Sequence, residues 1–474
     1  MPETLSPDVC VIGAGSGGLT VAAFCAMLGA PVVLVEKDRM GGDCLNAGCV
    51  PSKALIAAAR RAHDIRQASG FGIRAGEPAI DFAQVMRHVR DAIATIAPND
   101  SVARFSALGV KVIKGEARFL GPGAVTVGDT TIAARRFVIA TGSRPLLPDI
   151  PGLDALPFLT SETIFDLAAC PGHLGVLGGG PVGLEMAQAF RRLGAEVTVL
   201  ERDRLLPGED PEMVDVVRRQ LQDEGIALLE GVELTRVEGE PGALRLIARR
   251  GDDDGAIGVS HLLVATGRRA NVENLGLEAA GVAFTSAGIT VDKTLRTSNP
   301  RIHAIGDVGG GPQLTHVAGW HGQMVAQNIL FRRPVDTGGT AVPRVIYTDP
   351  ELAQVGLTEA EARKLDPKAR SLRWPFAEND RAVTARRRQG HIKLVISAKG
   401  RLLGASIVGA EATELIGLYA LALAKGGTAA ELAAIVLPYP GLSEVGKRAA
   451  STYLQARLGN PWIGRIMRLL RRFG

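Results

Sequence analysis

Aromatic residues make up only 4% of this chain, too few for the base-stacking surfaces on which single-stranded nucleic acids bind. Cysteine is scarce as well. Five in 474 residues exclude a secreted disulfide scaffold, so a disulfide here is expected to be catalytic rather than structural. No apolar stretch approaches the length of a membrane span; the run from Leu415 to Ala424 stops at Lys425. No charged and then apolar leader opens the chain, because Val9–Ile12 already reads as strand; a cytoplasmic protein is expected. Histidine is missing after His391, and acid is missing from residues 457–474. That tail carries Arg457, Arg465, Arg468, Arg471 and Arg472, which account for the whole formal charge of +5 and leave the body neutral. The basic balance therefore describes a tail and not a nucleic-acid-binding surface.

What is present is 46% hydrophobic residues and 58 glycines, enough for real cores joined by tight turns. The length suits three or four units of ordinary domain size. Val9–Ile12 reads as a buried strand, followed by Gly13-Ala14-Gly15-Ser16-Gly17-Gly18, a helical stretch to Leu28, and a second strand, Val32–Val35, ending in Glu36. This strand–GxGxxG–helix–strand–acid order is a dinucleotide site. Its glycines admit a pyrophosphate to a helix N-terminus, and its acid accepts from a ribose. The order recurs with Leu174–Leu177, the turn Gly178-Gly179-Gly180-Pro181-Val182-Gly183, a helix Leu184–Leu193 and the strand Val197–Leu200 ending in Glu201. Two dinucleotides are implied. Glu201 would repel a 2′-phosphate and favours NADH, while Arg202 and Arg204 are the residues that would accept NADPH.

Two further strands end in small-residue turns, Phe137–Ile139 before Ala140-Thr141-Gly142-Ser143 and Leu262–Val264 before Ala265-Thr266-Gly267-Arg268. Each marks a crossing between domains, and Pro145, Pro148 and Pro151 mark a linker after the first. Arg301–Ile305 is a strand that delivers Asp307 to a turn where backbone meets ligand.

Between the first nucleotide unit and the rest lies Gly41-Gly42-Asp43-Cys44-Leu45-Asn46-Ala47-Gly48-Cys49-Val50-Pro51-Ser52-Lys53. The run opens a helix, with Pro51 suited to its first turn and Ala54–Ala59 carrying it forward. A thiol at a helix N-terminus has its thiolate stabilised, so Cys44 and Cys49 read as a redox-active pair. A metal site would need further ligands, and no second Cys pair or His cluster supplies them; no metal is assigned. Cys10, Cys25 (in an amphipathic helix) and Cys170 are expected to be buried thiols, and Arg386-Arg387-Arg388 a solvated face.

These residues, in this order, resemble the two-dinucleotide flavoprotein disulfide reductases, among them glutathione reductase, dihydrolipoamide dehydrogenase and mercuric reductase. The resemblance implies an α/β fold with two Rossmann-like dinucleotide-binding domains and a C-terminal α+β dimerisation domain. Its expected bounds are 1–148 for the first part of the FAD-binding domain, 149–267 for the NAD(P)-binding domain and 268–338 for the second FAD-binding part. Residues 339–456 would form the dimerisation domain and 457–474 a basic amphipathic tail. It implies FAD on Gly13, Gly15, Gly18, Glu36, Lys53, Thr141, Gly142 and Asp307, and NAD(P)H on Gly178, Gly180, Gly183, Glu201 and Gly267. Cys49 would be the flavin-facing thiolate and Cys44 the thiol that meets the acceptor. Lys53 would lie near the flavin, paired with Glu185.

The pattern departs at Leu437-Pro438-Tyr439-Pro440-Gly441-Leu442-Ser443-Glu444. Disulfide-reducing members carry a His here, oriented by a Glu five residues on; Glu444 is present but Tyr439 replaces the His. A phenol with an ordinary pKa of about 10 is a poor base at neutral pH. It can donate a proton, or ligate a soft metal beside thiolates. Mercuric reductases also carry a Pro-Tyr in this region, though no Cys follows Cys170 to relay a metal. The expected enzyme is therefore an NAD(P)H oxidoreductase passing electrons through Cys44 and Cys49 to a metal ion such as Hg(II), a quinone or a protein disulfide. Its alternatives are a dihydrolipoyl dehydrogenase and a membrane-associated redox-sensing flavoprotein. A homodimer is expected, without nucleic acid. On a helical wheel from Trp462, Ile463, Ile466, Met467, Leu469, Leu470 and Phe473 oppose the four arginines that follow Trp462, which reads as peripheral contact with the inner membrane surface.

Overall fold

A computed structural model describes residues 3–458 and 461–473; the side chains of residues 456–461 and 463, hence those of Arg457 and Ile463, lie outside the described residues. The chain divides into two compact units. The first comprises Met1–Gly178, Arg192–Glu196 and Leu234–Gly339, and the second Gly179–Arg191, Val197–Glu233 and Thr340–Gly474.

The first unit is built on a parallel sheet in the order Ile302–Ala304, Arg136–Ile139, Val9–Ile12, Val32–Glu36, Lys111–Lys114. Its central strand Val9–Ile12 is apolar and buried at every position because both its faces are covered. Alternation sends Val9, Val11 and Leu34 to one core and Cys10, Ile12, Val33 and Val35 to another. The first core includes the Ser16–Met27 helix, which is apolar nearly all round rather than amphipathic. It packs closely on the Thr315–Phe331 helix: a Cβ at Gly322 would stand 2.6 Å from the Gly17 carbonyl oxygen. Cys10 and Cys25 are buried, as expected, and burial pushes both thiols up to about 12. Cys170 is only half-buried. The expected linker is more ordered than its prolines suggest, since Ser143–Pro145 pairs antiparallel with Arg268–Ala270. Pro145 fits because it closes a short two-stranded ribbon and not a central strand. His173–Leu177 pairs in parallel with His261–Val264 in this same unit.

Apart from the end residues Glu196 and Arg192, the second unit holds the strand Glu196–Glu201, paired in parallel with Ala227–Glu230, and the helix Pro181–Arg192. It also holds an antiparallel sheet in the order Arg344–Ile346, Glu351–Gly356, Leu402–Gly409, His391–Ile396, Arg370–Pro375. Phe376, Ile392, Leu394, Ile407, Tyr419 and Val445 anchor the core beneath it. Arg387 is no idle surface charge: it bridges Asp349 at 2.7 Å and Glu411 at 3.1 Å. At the C-terminus the helix Pro461–Leu470 stops short of Phe473, and Trp462, Ile466, Met467, Leu469, Leu470 and Phe473 are exposed. Among the described residues, no helix is long and apolar enough to cross a membrane.

Candidate active site

The two glycine turns are built alike. Gly13 has φ +105°, and a Cβ there would stand 2.4 Å from the Ala140 carbonyl oxygen; Gly178 has φ +113° and the same 2.4 Å from that of Ala265. At Gly18 a Cβ would strike the Gly13 carbonyl at 1.9 Å, so this glycine lets the helix seat against its own turn. Gly15 and Gly180 differ: a Cβ on Gly15 meets nothing closer than 3.9 Å, and one on Gly180 nothing within 4 Å. That space adjoins helix-start amides that the helix itself leaves without partners, which is the cradle a dinucleotide pyrophosphate requires. Each terminal acid ties its strand to its turn. Glu36 accepts from the Ala14 amide at 2.6 Å and from that of Asp38 at 2.8 Å. Glu201 accepts from Gly179 at 2.7 Å and Asp203 at 2.9 Å. Gly183 lies in the first turn of the Pro181–Arg192 helix.

The two cysteines sit on different helices. Cys49 is the first residue of the helix Cys49–Gln67, which puts it at the N-terminus as the sequence predicts. Cys44 lies instead inside a separate short helix, Gly42–Asn46, because the left-handed Gly41 turns the chain there and the Asn46 amide donates to Met40 and Gly42 oxygens. Both are free thiols, Cys49 exposed and Cys44 half-buried. Their ionisations are driven apart. A hydrogen bond from Cys44, then one from Thr315, and the Lys53 charge outweigh burial and bring Cys49 down to about 6. The same pairing with Cys49, and burial, push Cys44 up. The Cys49 sulfur lies 3.3 Å from Thr315 Oγ1 at the start of the Thr315–Phe331 helix.

A chain of polar groups beside the cysteines was not legible in the motifs. The Arg268 guanidinium reaches Asp43 at 3.3 Å and donates to Ser143 Oγ at 2.7 Å and to the Ser143 carbonyl at 2.9 Å. Ser143 Oγ donates to Asp307 Oδ2 at 2.5 Å. Burial raises the Asp43 carboxyl, and Arg268 opposes that rise. Thr141 is held at both ends by Asn271, whose carbonyl accepts from Thr141 Oγ1 at 2.8 Å and whose amide donates to the Thr141 carbonyl at 2.9 Å. The Asn271 backbone amide donates to Gly142 at 3.0 Å, and Leu146 donates to Gly267 at 2.9 Å. Cys44, Cys49, Lys53, Thr141, Gly142 and Asp307 thus all belong to the first unit.

The remaining candidates belong to the second. Glu185 is buried and accepts from the Tyr347 amide at 3.0 Å. Tyr439 is 70% exposed, and its hydroxyl donates to Asp380 Oδ2 at 2.8 Å. That bond and the charges of Asp380 and Glu444 push the phenol above its ordinary pKa. Glu444 opens the helix Glu444–Leu458 and accepts from the Gly441 amide at 3.3 Å.

Residues 7–322 match the family described as pyridine nucleotide-disulphide oxidoreductase, and residues 342–450 match its dimerisation domain. Over 454 residues the chain is 37% identical to a mercuric reductase of Streptomyces lividans, covering 94% of this chain and 96% of that one. It is 38% identical over 449 residues to a dihydrolipoyl dehydrogenase of Thermus scotoductus, covering 92% and 95%. Among solved structures, the Cu(II) complex of the HOCl-induced flavoprotein disulfide reductase RclA from Escherichia coli matches with a TM-score of 0.84 at 28% identity. It covers 93% of this chain and 98% of that one.

Proposed function

Because the chain belongs to the pyridine nucleotide-disulphide oxidoreductase family and is one of its FAD- and NAD(P)H-dependent enzymes, we propose that Cys44 and Cys49 are its redox pair and a soft metal ion its acceptor. Bound FAD supplies the chemistry that takes reducing equivalents from NAD(P)H and delivers two electrons to a disulfide. Gly13, Gly15, Gly18, Glu36, Thr141, Gly142 and Asp307 would hold it, with Lys53 beside the ring; Glu185 is proposed as a further catalytic residue. Two electrons and one proton convert the disulfide into a Cys49 thiolate and a Cys44 thiol, the distribution favoured by Thr315 and Lys53.

The observation that carries the acceptor is Tyr439. A thiol–disulfide exchange at Cys44 needs a base to take its proton, and a phenol raised by Asp380 supplies none at neutral pH. A soft cation needs no base, since it displaces the thiol proton on binding. The mercuric reductase of Streptomyces lividans and the Cu(II) complex of the Escherichia coli reductase are in keeping with this. A quinone, which needs no thiol–disulfide exchange, would also accept the electrons, whereas a protein disulfide meets the same want of a base as lipoamide. The second reading, lipoamide oxidoreduction, draws on the 38% identity to a dihydrolipoyl dehydrogenase. Steady-state turnover with NADH separates them. Hg(II) or Cu(II) should be reduced and lipoamide poorly, with Tyr439→His raising the lipoamide rate; rapid lipoamide turnover by the unaltered enzyme overturns the metal reading.

For the second cofactor we favour NADH. Arg202 faces Asp203 at 3.8 Å and Arg204 donates to the Pro207 carbonyl at 2.8 Å, so both guanidiniums have uses other than a 2′-phosphate near Glu201. Gly178, Gly180, Gly183 and Gly267 would line that site. The functional domains are proposed to keep the bounds 1–148, 149–267, 268–338 and 339–456. The dimerisation-domain match supports a homodimer. The exposed apolar residues and four arginines from Trp462 onward support contact with an anionic membrane surface. Co-sedimentation with anionic liposomes should be lost on deleting residues 457–474; retention would discard the idea.

A further inference from the structure

At the other ends of the strands that carry the first glycine turn, the first unit gathers arginines. Arg136 opens the strand Arg136–Ile139 and Arg301 immediately precedes Ile302–Ala304, both at the amino-terminal edge of the sheet. Arg296 bridges to His303, and Arg332 ends the Thr315–Phe331 helix in the left-handed conformation. All four are exposed. Burial, then the charges of Arg296, Arg301, Arg135 and Arg332, hold Arg136 below the ordinary guanidinium pKa, so these cations feel one another.

Other arginines of this protein are neutralised: Arg144 by Glu273 at 2.8 Å, Arg218 by Glu230 at 2.7 Å, and Arg135 by Asp8 at 2.7 Å. Among the described residues, Arg136, Arg296, Arg301 and Arg332 form no ion pair. Arg136 donates to the Arg135 carbonyl at 2.9 Å, Arg301 to the Ala134 carbonyl at 3.2 Å and Arg296 to Asn328 Oδ1 at 3.4 Å, all neutral oxygens. Asp292, whose charge also reaches this group, turns its Oδ1 to the amides of Thr294 and Arg296 and to the Thr294 hydroxyl. Beneath them His303 is 1% exposed; neither ring nitrogen makes a hydrogen bond of good geometry, and the Asn328 side chain lies close enough to oppose the fall in its pKa. Burial and the charges of Arg296 and Arg136 bring it down to about 4 and keep it neutral.

Four guanidiniums without a carboxylate partner, near enough together to depress the ionisation of Arg136, concentrate positive charge at this edge and leave it open to a counter-anion. A carboxylate satisfies one guanidinium fork; a phosphate offers several acceptor oxygens to several forks at once. We propose that Arg136, Arg296, Arg301 and Arg332 form a binding site for a phosphate-bearing anion, at the opposite edge of the sheet from the first dinucleotide turn.

The test is calorimetric titration of the FAD-loaded enzyme with pyrophosphate at low salt, with saturating NAD+ filling the second turn and sulfate and chloride as comparison ions. Flotation on phosphatidylcholine vesicles with and without phosphatidic acid runs alongside. Saturable pyrophosphate binding is expected, weakened at least about tenfold in Arg136→Gln/Arg296→Gln and weakened in Arg332→Gln, with NADH oxidation unchanged. Vesicle binding that depends on phosphatidic acid, is competed by pyrophosphate and is weakened in Arg136→Gln/Arg296→Gln identifies a lipid headgroup as the source; pyrophosphate binding alone identifies a free ligand. No saturable binding, or equal affinity in the variants, overturns the site.

Discussion

The two glycine turns of this chain are nearly superimposable in their local chemistry, yet their surroundings differ. Both place a left-handed glycine 2.4 Å, in Cβ terms, from a carbonyl. Both use the terminal acid to hold the amide after that glycine, at 2.6 Å in one and 2.7 Å in the other. After the first turn and its sheet come two thiols, a lysine and a chain of polar contacts ending at Asp307. After the second come Arg202 and Arg204, each occupied locally. We propose that one backbone solution serves two dinucleotides, with the residues that follow it deciding what each dinucleotide does. The turn is a fitting, and the chemistry lies downstream.

Breaking each turn in the same way should therefore give unequal damage. Gly13→Val drives a side chain into Ala140 under a strained φ; purified protein should carry little flavin and melt well below the unaltered enzyme. Gly178→Val should retain flavin and instead raise the KM for NADH by about a hundredfold or more, as read from flavin content and initial rates. If Gly178→Val loses flavin as completely, the two turns do not serve separate ligands.

The acids sharpen the comparison less violently. Glu201→Ala should narrow the preference for NADH over NADPH by about tenfold in kcat/KM. Glu36→Ala should leave that ratio alone and weaken FAD retention. An unchanged ratio in Glu201→Ala would mean that Glu201 serves only the Gly179 amide.

The smallest expected effect concerns Thr315. Thr315→Val removes one hydrogen bond that favours the Cys49 thiolate while Cys44 and Lys53 remain. Its pKa should rise by about one unit or less, moving the acid limb of the pH–rate profile upward. The sign follows from the direction of the shift: a thiol held at about 6 is ionised at neutral pH, and each lost favourable contact returns it toward the ordinary value.

Both turns, their strands and the helix behind Cys49 were legible because they are local: period, punctuation and spacing all lie within a few residues. The helix that carries Cys44 was missed because the chain leaves helical geometry at Ala47 and Gly48, between two cysteines that the sequence presents as one segment. Thr315 and Asn271 were not legible at all, and Ser143 and Arg268, which end the two small-residue turns, gave no sign of their contacts. Cys49 and Thr315 are separated by 266 positions, and Ser143 and Asp307 by 164. Such contacts depend on the strand order of the sheet, which brings Ile302–Ala304 beside Arg136–Ile139. Tyr439 could be singled out from the sequence, but the Asp380 carboxylate that raises it could not.

The unequal pair of thiols is the centre of the account, and titration of the reduced enzyme reads it directly. With cysteine labelled at Cβ with carbon-13 and signals assigned through Cys44→Ser and Cys49→Ser, Cys49 should shift through a midpoint near 6 while Cys44 stays protonated past neutrality. A Cys49 midpoint near the ordinary thiol value, or ionisation of Cys44 first, would contradict it.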